Sequence, residues 1–226
     1  MGTLNLIETG IYSVPEAAKL VGATDRKVRG WVTGYGKGEG PLIDNQLGWV
    51  DGRLAFSFVN LMEIRFIAFF EAAGVRLPNI RAIVTEAKNL MNHPHPFATS
   101  IVFRTDGKRI LAKIARQNGV DLYDLKSRNY EMETVVFRSL KHNVEFNPDG
   151  EILYWRPRPQ TAPNVIVHPK FAFGQPVLRT SRIPTRTLRD ATDAENSAEA
   201  VAEQFEVPIK QVREAVKFER DLKMAA

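Results

Sequence analysis

The segment that most constrains this chain is Tyr12 to Val32, which carries the start, stop and restart signals of two short helices within about twenty residues. Ser13 can cap the first helix, and Glu16, three residues on, can return a carboxylate to the Ser13 amide. Pro15 falls in the first turn, where its missing N–H costs nothing. Ala17, Ala18 and Val21 supply an inward face, and Gly22 supplies the break. Thr24 then caps a second helix, whose inward residues are Val28, Trp31 and Val32. The pattern predicts a helix-turn-helix.

Residues 47–91 predict a wing and two more helices. Asp51-Gly52 is a two-residue turn signal between Leu47–Val50 and Leu54–Phe56, so 47–58 reads as a hairpin. Ser57 can cap a long helix with Phe58, Leu61, Met62, Phe66, Phe69 and Ala73 at helical spacing, ended by Gly74. Leu77-Pro78 opens another, with Ile80, Ile83, Val84, Ala87, Leu90 and Met91 inside and Pro94 and Pro96 beyond it. Ser100–Ala115 reads as a hairpin turned at Asp106-Gly107, and Tyr130–Leu140 as helix rather than strand. Val144–Trp155 reads as a hairpin around Pro148-Asp149-Gly150, and Arg156-Pro157-Arg158-Pro159 as a semi-rigid linker. A β-rich piece, Asn164–Ile183, precedes two helices; Asn196 or Ser197 caps the first, with Val201, Ala202 and Phe205 inward. Pro208 sits in the first turn of the second, which buries Val212, Ala215 and Val216. The expected fold is mainly α with small β hairpins, an α+β chain. It divides into residues 1–92 (winged helix-turn-helix and following helices), 93–160 (a middle α+β region) and 161–226 (a small domain ending in a second helix-turn-helix-like pair).

That second pair echoes the first without a gap. At an offset of 184 residues Ser13 meets Ser197, Ala18 meets Ala202, Val21 meets Phe205, Val28-Arg29 meets Val212-Arg213 and Val32 meets Val216. The matched positions are caps and core positions of a bihelical unit. Two short helices with similar turns would also look alike by chance.

Charge is segregated more than its net value of +5 shows. Lys19–Lys37 holds five basic residues and one acid, Asp25; Arg156–Arg189 holds seven basic residues and no acid; Asp190–Glu206 holds six acids and no base. A solvated face is the ordinary explanation of one such run. Basic charge on the second helix of a helix-turn-helix favours a phosphate lattice instead. Arg26, Lys27 and Arg29 lie there, where guanidinium forks reach guanine edges in the major groove. Ser13 and Thr24, at the two helix N-termini, and Arg53, at the wing tip, complete the candidate DNA-binding set. Trp31 reads as core or as a plug facing the DNA backbone, not as a base reader.

Other chemistry finds little support. Without cysteine, disulfides, thiolate metal sites and cysteine nucleophiles are excluded. No apolar run is long enough to span a membrane, and Met1–Gly10 lacks the pattern of a secretory signal, so a cytoplasmic protein is expected. Gly34–Gly40 reads as a flexible connector, His93-Pro94-His95 as two imidazoles with no carboxylate close in sequence, and His168 as a turn residue. Phe66, Phe69 and Phe70 read as core, a ligand pocket being the alternative. No catalytic constellation emerges. The expectation is a non-enzyme without metal or cofactor.

Two stretches resemble known families. Tyr12–Gly22 with Val28-Arg29-Gly30-Trp31, Ser57–Glu63 and Gly74–Arg81 resemble the DNA-binding domain of MerR-like regulators over about residues 10–92. Pro163–Pro169, Phe173–Val177 and Thr180–Thr185, with the Arg182-Ile183-Pro184 signature, resemble a small C-terminal domain of unknown function associated with VapB-type antitoxins, over about 161–222. Together the resemblances imply the antitoxin of a type II toxin–antitoxin pair, which represses its own operon on double-stranded DNA and neutralises a PIN-domain ribonuclease; a homodimer is expected because one helix-turn-helix reads too few base pairs and the apolar helices Phe58–Ala73 and Pro78–Met91 exceed what the wing can cover. Arg179, Arg182 and Arg186 are then the candidate toxin-binding residues. Arg182 and Arg186 flank Ile183-Pro184 on a segment read as extended, from which an arginine could pair with the carboxylates of the ribonuclease site. Residues 97–160 carry no activity legible from either family. The alternative is a free-standing MerR-like regulator that responds to a small ligand.

Overall fold

The computed structural model describes residues 9–36, 39–72, 74–100 and 143–224. The chain forms two compact units, one from Met1–Asp25, Leu47–Phe58 and Tyr154–Ala226, the other from Arg26–Gln46 and Val59–Leu153. Among the described residues, seven α-helices and short antiparallel strands make it an α+β fold dominated by helix, as the patterning predicts. No described helix is long and apolar enough to cross a membrane.

In the first unit, β1 (Tyr12–Ser13), β2 (Gly48–Val50) and β3 (Arg53–Phe56) form an antiparallel sheet in the order β1-β3-β2. Trp49 faces Leu54 and Tyr12 faces Phe56 across β3. Asp51 and Gly52, both at positive φ (47° and 71°), make the tight turn that the Asp-Gly pair predicts. Strand β1 runs directly into α1 (Val14–Val21).

The C-terminal part of this unit is built on β6 (Val165–Val167) and β7 (Pro176–Leu178), antiparallel, with Trp155 at the end of β5 (Ile152–Trp155) paired to Val167. All three residues of β6 are buried, as expected of a central strand. Helices α5 (Thr185–Glu195), α6 (Ala198–Gln204) and α7 (Ile209–Met224) complete it, burying Leu188, Val201, Val212, Ala215 and Phe218. Burial of each such large apolar side chain stabilises by roughly 1.5–3 kcal/mol before entropy. Buried Glu214 on α7 accepts from both the backbone N (2.6 Å) and Nδ2 (2.8 Å) of Asn164, a two-point lock between helix and sheet. The residue before β1 is tied to the same body: the Ile11 amide donates to the Phe173 carbonyl at 3.0 Å.

Helix α5 corrects the expectation of two terminal helices. Its eleven residues bury only Thr185, Leu188 and Arg189, so no apolar stripe announces it. Its start is set by Pro184, which fixes an extended backbone before the first turn.

The second unit holds α2 (Asp25–Thr33, from Arg26), α3 (Phe58–Ala72, from Val59) and α4 (Leu77–Leu90), with strand β4 (Val144–Phe146) and the start of β5 as the expected hairpin turned at Asn147–Gly150. Buried residues run round α3 rather than along one stripe: Leu61, Met62, Ile64, Ile67 and Phe70 are all inside, and Phe69 is half-buried. The Phe66 ring stacks on Phe97 at 3.8 Å and tilts against Phe70 at 4.8 Å, so these aromatics are core. On α4, Ile80, Ile83, Val84 and Ala87 are buried as expected, whereas Leu90 is 54% exposed. Ala73, the body of the Ser100–Ala115 hairpin and Tyr130–Leu140 lie outside the described residues.

Candidate nucleic-acid interface

The first helix of the bihelical segment begins as its sequence dictates. Ser13 Oγ accepts from the Glu16 amide at 3.4 Å, and the Glu16 carboxylate accepts from the Ser13 amide at 2.8 Å, a complete capping box. Such a cap stabilises by about 1 kcal/mol. Ser13 is thereby committed to its own helix. Gly22 takes the left-handed conformation (φ 73°), and the Ala23 amide closes the turn on the Ala18 carbonyl at 2.9 Å. Exposed Thr24 immediately precedes α2.

Helix α2 separates its residues by face. Val28, Trp31 and Val32 are buried, Trp31 completely, while Arg26, Lys27 and Arg29 are exposed. Tyr35 packs on Gly30: a Cβ there would fall 2.2 Å from its ring, and its hydroxyl donates to the Lys27 carbonyl at 3.2 Å. The Leu42 amide donates to the Trp31 carbonyl at 2.7 Å. The three cations are not equivalent. Lys27 Nζ bonds Glu71 at 2.8 Å, whereas the guanidinium groups of Arg26 and Arg29 have no ion pair among the described residues. Arg53 follows Gly52 at the hairpin tip, exposed, and Trp49 on the neighbouring strand is 64% exposed.

The C-terminal arginines stand in three settings. Arg179 is exposed and without an ion pair among the described residues. Arg182 does not sit on an extended segment as its sequence context implied. It has φ 59° in a tight turn, its amide donating to the Leu178 carbonyl at 2.8 Å while the Leu178 amide donates to Ile183 at 3.0 Å. Its guanidinium lies over the Phe171 ring at 4.4 Å, and Phe171 stacks on buried His168 at 3.9 Å. Burial, with Lys170 and Arg182 nearby, holds the His168 imidazole below its usual pKa. Arg186 is likewise not extended but in the first turn of α5, 3.6 Å from Asp190.

Three of the six acids in the acidic block, Asp190, Asp193 and Glu199, are answered from within. Arg189, buried, meets Asp190 at 2.6 Å and Asp193 at 3.9 Å; Arg220 approaches Asp193 at 3.7 Å; Arg213 holds Glu199 at 2.6 Å and keeps its carboxyl below the usual range, after the contribution of the Glu199 backbone. Lys217 pairs with Asp221 at 2.7 Å. The basic face of α7 is therefore substantially engaged, unlike Arg26 and Arg29 on α2. The local geometry of the two helix pairs nevertheless repeats. Ser197 Oγ accepts from the Ala200 amide as Ser13 does from Glu16; Glu206 takes φ 53° where Gly22 takes 73°; and the Val207 amide closes on Ala202 at 3.0 Å as Ala23 does on Ala18.

Sequence spacing also missed a buried polar cluster in the second unit. Asn60, fully buried, accepts from the Gln46 amide (2.9 Å) and donates to the Asp44 carbonyl (2.8 Å). Glu63, also buried, lies 3.1 Å from His95 Nδ1. The carboxylate absent near His93-Pro94-His95 in sequence is thus supplied by α3. His93 accepts from the His95 amide at 3.0 Å, and no group of three or more potential metal ligands occurs among the described residues.

Residues 165–218 match a family described as a protein of unknown function, DUF433. The match falls on β6 through most of α7. The whole chain is 21% identical over 235 residues to the uncharacterized protein Rv2308 of Mycobacterium tuberculosis, covering all of this chain and 96% of that protein. Its fold is shared with the crystal structure of Rv2018 from Mycobacterium tuberculosis, at a TM-score of 0.69 and 22% identity, over 91% of this chain and 96% of that one.

Proposed function

We propose that this chain is a DNA-binding, antitoxin-type repressor that reads its operator through α2 and engages a ribonuclease through its C-terminal domain. The observation that carries the DNA reading is the contrast on α2: three apolar residues buried, and Arg26 and Arg29 exposed without ion pairs among the described residues. Side chains held open on the second helix of a winged helix-turn-helix are available for base edges, and Arg53 on the hairpin for phosphate. The MerR-like resemblance supplies the same assignment for residues 10–92. Substituting Arg26 and Arg29 by Ala is expected to weaken operator binding by about 1–3 kcal/mol for each base-reading contact. Gel-shift titration at fixed salt measures it, and unchanged affinity refutes the reading.

The partner reading rests on the DUF433 match together with the VapB-type association of the domain it resembles. A PIN-domain ribonuclease gathers carboxylates in its site, and Arg179, exposed and unpaired among the described residues, is the arginine best placed to meet them, ahead of Arg182 and Arg186. Arg179→Ala in the full chain should weaken capture and inhibition of the ribonuclease encoded beside it. The reading makes the protein a cytoplasmic non-enzyme working without metal or cofactor, with a homodimer matching the two-fold of an operator. Surplus apolar surface adds nothing to the dimer argument, since α3 is buried nearly all round.

A further inference from the structure

Within the first unit, α1, α5 and α7 line a half-open cavity of about 300 Å³, at the lower end of the range for small-molecule sites. Its apolar wall is made by Ile11, Leu20, Pro176 and Leu222, residues from four separate stretches of chain. Its cations are Lys19, Arg186, Arg189 and Lys223. The two acids in the wall already have work: Glu16 closes the Ser13 capping box, and Glu219 accepts from the Thr185 hydroxyl. Lys19 and Lys223 have no ion pair among the described residues.

Two buried polar groups in the wall lack hydrogen-bond partners among the described residues. One is Tyr12 Oη, on a side chain only 2% exposed; the other is Nε of Arg189, which lies 3.9 Å from Asp193 in an ion pair while Nη2 is held by Asp190. A buried donor left unmade costs roughly 1–3 kcal/mol, and of the two only the Tyr12 hydroxyl has no carboxylate of the chain in reach among the described residues. Burial, and secondarily Glu16, pushes the Tyr12 phenol well above its ordinary pKa, so it remains a donor.

We propose that this cavity is a binding site for a small organic anion with an apolar body, a carboxylate seated toward Lys19 and Lys223 and its hydrocarbon against Leu20 and Leu222. Desolvated apolar contact and charge must act together there. An inorganic anion would leave the apolar wall wet, and a neutral hydrocarbon would leave Lys19 and Lys223 unanswered. The site belongs to the free protein and requires neither DNA nor ribonuclease binding.

The test is calorimetric titration of the full chain with octanoate and with phenylacetate, with octanamide and inorganic phosphate as the uncharged and head-group-only controls. At least one acid should bind saturably and at least tenfold more tightly than either control. Lys19→Gln with Lys223→Gln should weaken it at least tenfold while leaving thermal unfolding unchanged; should the double variant unfold, Lys223→Gln alone is expected to weaken binding several-fold. Absence of saturable binding by both acids overturns the site, as does equal binding of the amide, of phosphate, or of the acid to the folded lysine variants.

Discussion

Gly174 lies against the Tyr12 phenol so closely that a Cβ there would fall 2.3 Å from the hydroxyl oxygen. Gly174 also has φ 89°, so an alanine would combine left-handed strain with overlap against a fully packed ring. Gly22 is the internal control, with φ 73° and nothing within 4 Å of its missing Cβ. Gly22→Ala should cost about 1–2 kcal/mol, the backbone strain alone. Gly174→Ala should cost about 1–3 kcal/mol more from overpacking. Urea midpoints of the two variants at constant slope measure the difference, and equal losses would show that the Tyr12 contact does not constrain Gly174.

The repeated cap allows a second comparison. Ser13 and Ser197 each accept from the amide three residues on, but only Ser13 has a glutamate there to return the bond; its counterpart at the other helix is Ala200. Ser13→Ala and Ser197→Ala should each destabilise by about 0.5–2 kcal/mol, Ser13→Ala by the larger amount. Introducing Ala200→Glu should stabilise the second helix and leave the first untouched. An A200E variant no more stable than the parent would sink this account.

Much of this was readable from the sequence because the signals are local. The Ser13–Glu16 box, the Gly22 break, the Asp51-Gly52 turn and the Pro78 helix start each involve residues within a few positions of one another. What escaped depends on distant partners or on helices without an apolar stripe. Helix α5 pairs Arg186, Arg189, Asp190 and Asp193 with one another and offers Leu188 as its single large buried apolar residue. Arg182 looked extended because Ile183-Pro184 follows it, yet the bonds of the Leu178–Ile183 turn place it at positive φ. The lysine at 27 looked equivalent to its neighbours until Glu71, 44 residues away, was placed beside it.

His168 makes stability depend on acidity in a definite direction. Its folded pKa is lowered below the ordinary 6.5, first by burial, then by Lys170 and Arg182. The unfolded chain therefore takes up this proton more readily than the folded one. The neutral imidazole's contribution is fully present above about pH 6.5 and is lost as pH falls below that value toward the folded pKa. His168→Asn keeps an acceptor near the Lys170 amide, now bonded to Nδ1 at 3.1 Å, but cannot titrate. Denaturant melts from pH 7.5 downward should show a decline in the parent that is shallower in His168→Asn; parallel declines would exclude His168 as the source.

Lys27 and Arg29 should behave differently on DNA even though both are exposed on α2, because Glu71 already holds Lys27 at 2.8 Å. A lysine that must leave a carboxylate to reach a phosphate exchanges one favourable contact for another, so its net contribution to binding is small. Arg29 has no such exchange to make among the described residues. Lys27→Ala is therefore expected to reduce operator affinity less than Arg29→Ala. Glu71→Gln, which removes this ion pair, should tighten binding. It should also steepen the dependence of log affinity on log salt by up to about one unit, the mark of one added phosphate contact. Exposed ion pairs contribute ~0–1 kcal/mol, so the variant should stay folded and the comparison interpretable. Affinities measured at four or more salt concentrations on one operator fragment decide it. If Glu71→Gln leaves both affinity and slope unchanged while Arg29→Ala weakens binding, α2 reads DNA without Lys27; if Lys27→Ala weakens binding as much as Arg29→Ala, the Glu71 pair does not restrain it.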